Sequence, residues 1–356
     1  MIGQKNIFIF LFACGLLLSN QTKAQSDFNP ETERALRFMF YNVENVFDTV
    51  NNPNANDEEF LPDGGRYWSS YRYYQKKNRI YKTILAAGGW EPPELIGLCE
   101  IENETVLEDI LWKTPFSKFK YKYIHRNSPD HRGIDVALLY DPKEFFPVSE
   151  QYIRLDLPDK YSSTREILYA KGYTKQDDTL HIFVNHWPSK YGGAVKSQPK
   201  RNIAAQTLKK VTDSLFKAVK KPKIIITGDF NDAPDTKSMK NYLQAKKLTD
   251  TIVNKTLYNL SAHWRKEKFG THKYQGQWSV IDQFIVSGSL LNVKHAMKTS
   301  EQNAHIFAPD FLLEKDEKFV GQKPYRTFVG FRYNGGFSDH LPIILDLKKA
   351  KNVDVD

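Results

Sequence analysis

The residues able to do chemistry in this chain recur at one kind of place, the polar end of an apolar run. Ile224-Ile225-Ile226-Thr227 leads into Gly228-Asp229-Phe230-Asn231. The β-branched residues make a buried strand, the glycine permits close backbone approach, and Asp229 and Asn231, two apart in extended chain, point the same way. A carboxylate beside an amide suits a hard cation, and it also suits orientation of a phosphate oxygen or an attacking water. Alone, the same residues could form an ordinary Asx-stabilised turn. Leu98-Cys99-Glu100 finishes an apolar run with a carboxylate that is costly to bury without a cation, so Glu100 is read as a metal ligand, with Glu102 able to share or take that role. Asp282 sits inside Val280–Val286 and needs a charged or hydrogen-bonding partner, for which a histidine is the obvious candidate. Val184-Asn185-His186-Trp187-Pro188 ends a run in a histidine, and Ser338-Asp339-His340 places an acid and an imidazole before the last one. Taken singly, His186 could be a structural histidine and Asp339-His340 a solvated turn.

Such residues need a rigid frame open to substrate at one edge. Strands are expected at Phe38–Val43, Leu95–Glu100, Tyr121–Ile124, Asp135–Tyr140, Ile167–Tyr173, Leu180–Asn185, Lys223–Thr227, Val280–Ser287 and Leu341–Leu347, each bounded by Gly, Pro, Asn or Asp. Helices are expected at Tyr71–Ala87, Thr105–Trp112, Gln198–Ala218 and Thr236–Ala245, the third with apolar residues at helical spacing. Strands interspersed with such helices imply an α/β layered domain. Thr49–Trp68 and Asn303–Gly336 read as long irregular excursions, and the second is a candidate wall of a substrate cleft. The tail from Lys348 is expected to fray.

In order, Tyr41-Asn42-Val43-Glu44-Asn45, Leu98-Cys99-Glu100, Asn185-His186-Trp187-Pro188, Gly228-Asp229-Phe230-Asn231, Ile281-Asp282 and Ser338-Asp339-His340 resemble the motifs of the endonuclease/exonuclease/phosphatase superfamily. The resemblance spans Phe38 to Leu347. It implies a four-layered α-β-β-α sandwich, two packed mostly antiparallel sheets with flanking helices, and a site at one edge. It also implies a divalent-metal-dependent phosphoesterase. Glu100 would be the principal ligand of Mg²⁺ or Mn²⁺, with Asn42 and Asp339 close to it. Asp229 and Asn231 would orient water and a non-bridging oxygen, and His340 would contact the scissile phosphate, held in its tautomer by Asp282. His186 fills a second histidine position that exonuclease III-type enzymes lack. Arg165 corresponds in placement to a phosphate-contacting arginine, and Asp135 to a carboxylate partner for His186.

Bulk properties bound the rest. Met1 to Ala24, with Lys5 before the apolar run Ile7–Leu18, has the layout of a secretory signal peptide, which implies an exported protein, periplasmic or secreted, with one domain over 25–356. The apolar run is too short to span a membrane, so no stable membrane insertion is expected, and a monomer is assumed. Of 51 basic residues, Lys5 and Lys23 leave with the leader, so 49 face 42 acidic ones, a balance that favours polyanions. Of the two cysteines, Cys99 is left without a partner, so disulfides do not hold the fold. No nucleophilic Ser or Cys motif and no Gly-rich nucleotide loop is present. The reading is a phosphodiesterase or endonuclease acting on nucleic acid, with Trp264–Tyr274 and Lys315–Tyr333 as possible backbone tracks. Two alternatives stay open: a phosphatase or phospholipase-type enzyme for a small phosphoester or lipid headgroup, and a catalytically inactive binding module.

Overall fold

In the computed structural model the described residues are 32–158, 163–266, 269–292 and 297–350, so the segment read as a signal peptide lies outside them. The strands of the two main sheets are β1 (Thr32–Val46), β2 (Leu95–Ile101), β3 (Lys122–His125), β4 (Asp135–Tyr140), β5 (Phe145–Ile153), β6 (Ile167–Thr174), β7 (Thr179–His186), β8 (Lys223–Asp229), β9 (Leu257–Asn259), β10 (Asp282–Ser287), β11 (Met297–Lys298), β12 (Ala304–Ile306) and β13 (Ile343–Ala350). A seven-stranded sheet runs β11-β13-β1-β2-β4-β3, with β12 also on β13, and a six-stranded sheet runs β5-β6-β7-β8-β10-β9.

The period-2 alternation of the strands builds the layers. Phe38 and Phe40 of β1 join Leu168, Ile182, Val184, Ile225 and Phe284 in a core between the sheets. Their neighbours Met39 and Tyr41 face outward, against Ile80 and Ile84 of α1 (Ser70–Gly88) and Leu107 and Ile110 of α2 (Glu104–Trp112). On the far side, Phe183, Ile224 and Ile226 pack on Ala204 and Leu208 of α3 (Ala194–Ala218). The result is the four-layered sandwich. The helices are capped as their sequences dictate: Ser69 accepts from the Arg72 amide, Asn103 accepts from the Val106 amide, and Gly89 (φ 81°) closes α1 in the left-handed conformation.

Two pairings decide where chemistry can occur. β1 and β2 run parallel, as do β7 and β8, while the other neighbours in the two sheets are antiparallel. Parallel neighbours finish at the same end, and the return path must cross over the sheet. The intervals containing α1 and α3 supply those crossovers, so Asn42 and Glu100 end one pair while His186 and Asp229, in direct register, end the other. β10 starts opposite Asp229 at Asp282, and β13 starts just after His340.

Several boundaries differ from expectation. α3 begins at Ala194, before Pro199, and the Ser197 hydroxyl donates to the Gly193 and Ala194 carbonyls in that first stretch. Thr236–Ala245 contains only one π-helical turn, Ser238–Leu243. β5 was not anticipated; it contains Pro147 and forms an edge, the position where a strand tolerates proline. Lys348–Ala350 are held in β13 against Thr32–Arg34 rather than frayed. Among the described residues no helix is long and apolar enough to cross a membrane.

Candidate active site

Glu100 stands where β2 breaks register, with φ 65°, a left-handed backbone that costs energy for a non-glycine residue and concentrates at functional sites. The bulge turns its carboxylate toward β1: Oε2 accepts the Asn45 amide at 2.8 Å and Oε1 accepts the Asn42 side-chain amide at 3.2 Å. The same Asn42 Nδ2 donates to Asp229 Oδ2 at 3.1 Å, so one amide joins carboxylates from the two sheets. His186 Nε2 lies 3.8 Å from Glu100 Oε1 and 3.7 Å from Asp229 Oδ2. Its flanking residues anchor the turn: the Trp187 indole donates to Asn185 Oδ1, and the Asn185 amide donates to the Thr227 carbonyl. Gly228 is required here, because a Cβ would fall 2.2 Å from the Asn185 carbonyl oxygen.

Asp282 has its histidine. His340 Nδ1 donates to Asp282 Oδ2 at 2.8 Å, leaving Nε2 3.9 Å from Asp229 Oδ2. Burial alone would lower the His340 pKa, but Asp282 and Asp229 outweigh it and hold it well above the ordinary histidine value. Burial, with Asp282 and Glu100 nearby, pushes Asp229 up to about 7. Burial, reinforced by Arg165 and Arg132, holds His186 well below its usual value and therefore neutral. Asp339 is the outlier of the set: against the cost of burial, Arg326 holds it at about 2, with Nη2 donating to its Oδ2 at 3.0 Å.

Asn42, Glu100, His186, Asp229, Asp282 and His340 thus form one connected cluster, and the Ser338 hydroxyl, donating to the Asn42 carbonyl, ties the Asp339 loop to it. Asn231 does not share an extended face with Asp229. It has φ 51°, its amide N–H donates to Asp229 Oδ1 in an Asx turn, and its side chain donates to the Trp187 carbonyl. Arg165 is buried and pairs with Asp130, its other arm on the Trp187 carbonyl. Asp135 is not the partner of His186: it accepts from His125 Nε2 and the Ser128 amide, while His186 Nδ1 has no hydrogen-bond partner among the described residues. Glu102 turns away to accept the Asp48 amide.

The residues not anticipated are Arg326, Glu44, Lys76 and His272. Glu44, at φ 52° in the disturbed end of β1, accepts from Arg326 Nε and the Thr327 amide, which fastens the 303–336 excursion to the site. Buried Lys76 donates to Thr327 Oγ1 and the Phe337 carbonyl beneath it. Lys76 carried a legible signal, a lysine on the buried stripe between Tyr73 and Ile80. His272 packs against His340 with ring centres 4.8 Å apart and ring planes tilted by 41°.

The Endonuclease/Exonuclease/phosphatase family model matches residues 37–349. The chain belongs to the endonuclease/exonuclease/phosphatase family. Solved structures share its fold at low identity. A D. rerio TDP2 humanized by 14 mutations is 13% identical, with coverage of 88% of this chain and 98% of that one and a TM-score of 0.53. The human Nocturnin catalytic domain with bound sulfate is 18% identical (89% and 95%, TM-score 0.51), and a Bacteroides thetaiotaomicron endonuclease/exonuclease/phosphatase family protein is 16% identical (88% and 94%, TM-score 0.51). No curated protein matches in sequence.

Members of the endonuclease/exonuclease/phosphatase family are hydrolases of phosphoester bonds that typically depend on a divalent metal. The residues present fit such an ion. Oxygen donors dominate, as hard cations require, and Asp229 Oδ2 sits between the Asn42 amide and two imidazoles. Asp229, Asp282 and His340 offer ligand atoms within 4.8 Å of one another, as do His272, Asp339 and His340, and Asp282 Oδ1 is buried without a hydrogen-bond partner among the described residues.

Behind the cluster, Arg201 and Asp232, both fully buried, lie 2.9 Å apart and join α3 to the loop after β8; Arg201 Nη1 also contacts the Pro188 and Ser189 carbonyls after His186. Removing one partner strands a buried charge, so Arg201→Leu should cost about 3–5 kcal/mol of unfolding free energy. Urea denaturation followed by circular dichroism measures this, and a loss below the range expected for a solvated pair would contradict the structural role.

Proposed function

We propose that this protein is a divalent-metal-dependent phosphodiesterase that cleaves nucleic acid at the Asn42–Glu100–His186–Asp229–Asp282–His340 cluster. The observation that carries the reading is the single Asn42 amide shared by Glu100 and Asp229, with both imidazole Nε2 atoms beside it. Glu100, Asn42 and Asp339 are the residues we assign to the metal, Mg²⁺ or Mn²⁺, which when bound neutralises charge on phosphoryl oxygens. Asp229, fixed by Asn42 and the Asn231 amide, orients the attacking water and takes its proton. His340, aligned by Asp282, presents Nε2–H to the phosphate and protonates the departing oxygen, a step worth ~10²–10⁴ in rate. Neutral His186 hydrogen-bonds a non-bridging oxygen, and Asn231 and Arg165 flank that position.

Nucleic acid is favoured over a small phosphoester by an open cleft of about 770 Å³ whose rim includes Arg132, Lys196 and Lys200. Another D. rerio TDP2 structure of this fold, 13% identical, is complexed with a single-strand DNA product. The Trp264–Tyr274 and Lys315–Tyr333 stretches are less suited to track a phosphate backbone. Lys273 is buried on Asp316, Lys323 pairs with Glu314, and Trp264 is in the core. The cleft is walled by the 49–68 excursion, and no residue of 303–336 lines it.

Hydrolysis of bis(p-nitrophenyl) phosphate should require added Mg²⁺ or Mn²⁺ and cease with excess chelator. Among plasmid DNA, single-stranded oligonucleotide, RNA and inositol phosphates, the nucleic acids should be consumed. Fast phosphate release from monoesters with DNA left intact would transfer the assignment to a phosphatase, and metal-independent inertness toward all of them would leave a binding module.

A further inference from the structure

The cleft adjoins the cluster, since Asn45, Arg165 and Pro188 line it and each also borders or contacts a cluster segment. Its lining carries five guanidinium or ammonium groups against two carboxylates, of which Asp130 is shared by Arg165 and Arg132 and Glu59 is engaged by Arg66. Cations therefore outnumber carboxylates in the cleft, and Lys196 lies on the same rim as Arg132. α3 begins there: its N-cap Gly193 offers no side-chain cap and its first turn holds no acid, so the positive end of the helix faces the same rim. Arg165, 4% exposed, lines the cleft with an Nε that has no hydrogen-bond partner among the described residues.

The second component is aromatic. Tyr191 is 95% exposed, held out by Gly192 and Gly193 at φ 76° and 112°, a backbone that favours glycine. A solitary exposed tyrosine needs no explanation, but this one shares the cleft with Phe47, Phe60 and Leu157 and with the cationic rim. Apolar faces beside fixed positive charge match a flat base linked to a phosphate, and a base can stack on a side chain only when it is unpaired.

We propose that this cleft binds the nucleotide next to the scissile phosphate of a single-stranded nucleic acid, with Tyr191 stacked on its base and Arg132, Lys196 and the start of α3 on its far phosphate. The proposal rests on the nucleic-acid reading above and adds its strand preference and its specificity residues. A volume of about 770 Å³ is in the range of pockets that enclose such a ligand.

The test measures Tyr191→Ala, Lys196→Glu and the wild-type protein, with Mg²⁺, on a fluorescent single-stranded oligodeoxynucleotide and on bis(p-nitrophenyl) phosphate. Each substitution should raise KM for the oligonucleotide by ~10-fold. Lys196→Glu should also flatten the dependence of log KM on log salt by ~0.7 or more, and both variants should leave bis(p-nitrophenyl) phosphate hydrolysis within about twofold of wild type. Unchanged oligonucleotide KM in both variants of a wild type that cleaves it overturns the subsite while leaving the proposed function standing. Equal losses on both substrates overturn it too, by showing the loop to be merely structural. A wild type that hydrolyses bis(p-nitrophenyl) phosphate but no nucleic acid removes the nucleic-acid reading itself.

Discussion

Glu100→Ala should reduce kcat/KM for bis(p-nitrophenyl) phosphate by ~10³, a loss of about 4 kcal/mol in transition-state stabilisation. The size of the effect follows from position. Glu100 projects from a strained bulge between the two sheets, and its carboxylate is held by the Asn45 amide and shared through Asn42 with Asp229. Removing it takes away the residue assigned as principal ligand and leaves the Asn42 side-chain nitrogen with Asp229 as its one acceptor. Folding should survive, because the lost acid stands near Asp229 and its removal relieves like-charge repulsion there. Initial rates and calorimetric Mg²⁺ titration of the same variant make the check, with weakened metal binding and an unaltered circular dichroism spectrum expected together. A variant as fast as its parent would end the assignment of this cluster as the reaction centre.

Asp282→Asn should lower kcat by ~10²–10⁴ with little change in KM. The carboxylate accepts from His340 Nδ1 at 2.8 Å and, with Asp229, holds the imidazole in its cationic form, so that Nε2 also carries a proton toward the substrate. An asparagine brings no charge to sustain the cation, and a neutral imidazole is far too weak an acid to protonate the departing oxygen, whichever nitrogen carries its proton. The loss should depend on the leaving group. A p-nitrophenolate departs readily without a proton, whereas a nucleotide alkoxide does not, so the deficit on an oligonucleotide should exceed that on the aryl ester. Identical deficits on both would show that His340 acts on the phosphoryl oxygens rather than on the departing one.

The features legible in sequence are those whose cause is local. Ile224–Ile226 followed by glycine is a buried strand wherever it occurs, and Glu100 and Asp282 were visible because a carboxylate in apolar company demands compensation. The compensation itself was not legible. Asp135 sat at a reasonable place for a partner of His186, yet the fold gives it to His125 and Ser128 on the same side of the sheet, because β3 and β4 pair there. Arg326 lies in a glycine- and aromatic-rich excursion with nothing beside it to mark it, and it matters only because Glu44 captures that excursion. The Asp229–Asn231 geometry failed for a related reason: the strand ends at Asp229, and an extended-chain argument cannot cross that end.

The antiparallel partner of β1 is β13, which arrives only after almost all the rest of the described chain, with Phe40 opposite Ile343. His340 and Asp282 come from that same late portion. A chain that stops short of Asp282 therefore holds Asn42 and Glu100 without the Asp282–His340 pair, and its first sheet stays open along one side of β1. On the proposed mechanism the reaction centre is complete only once the final strand is laid in.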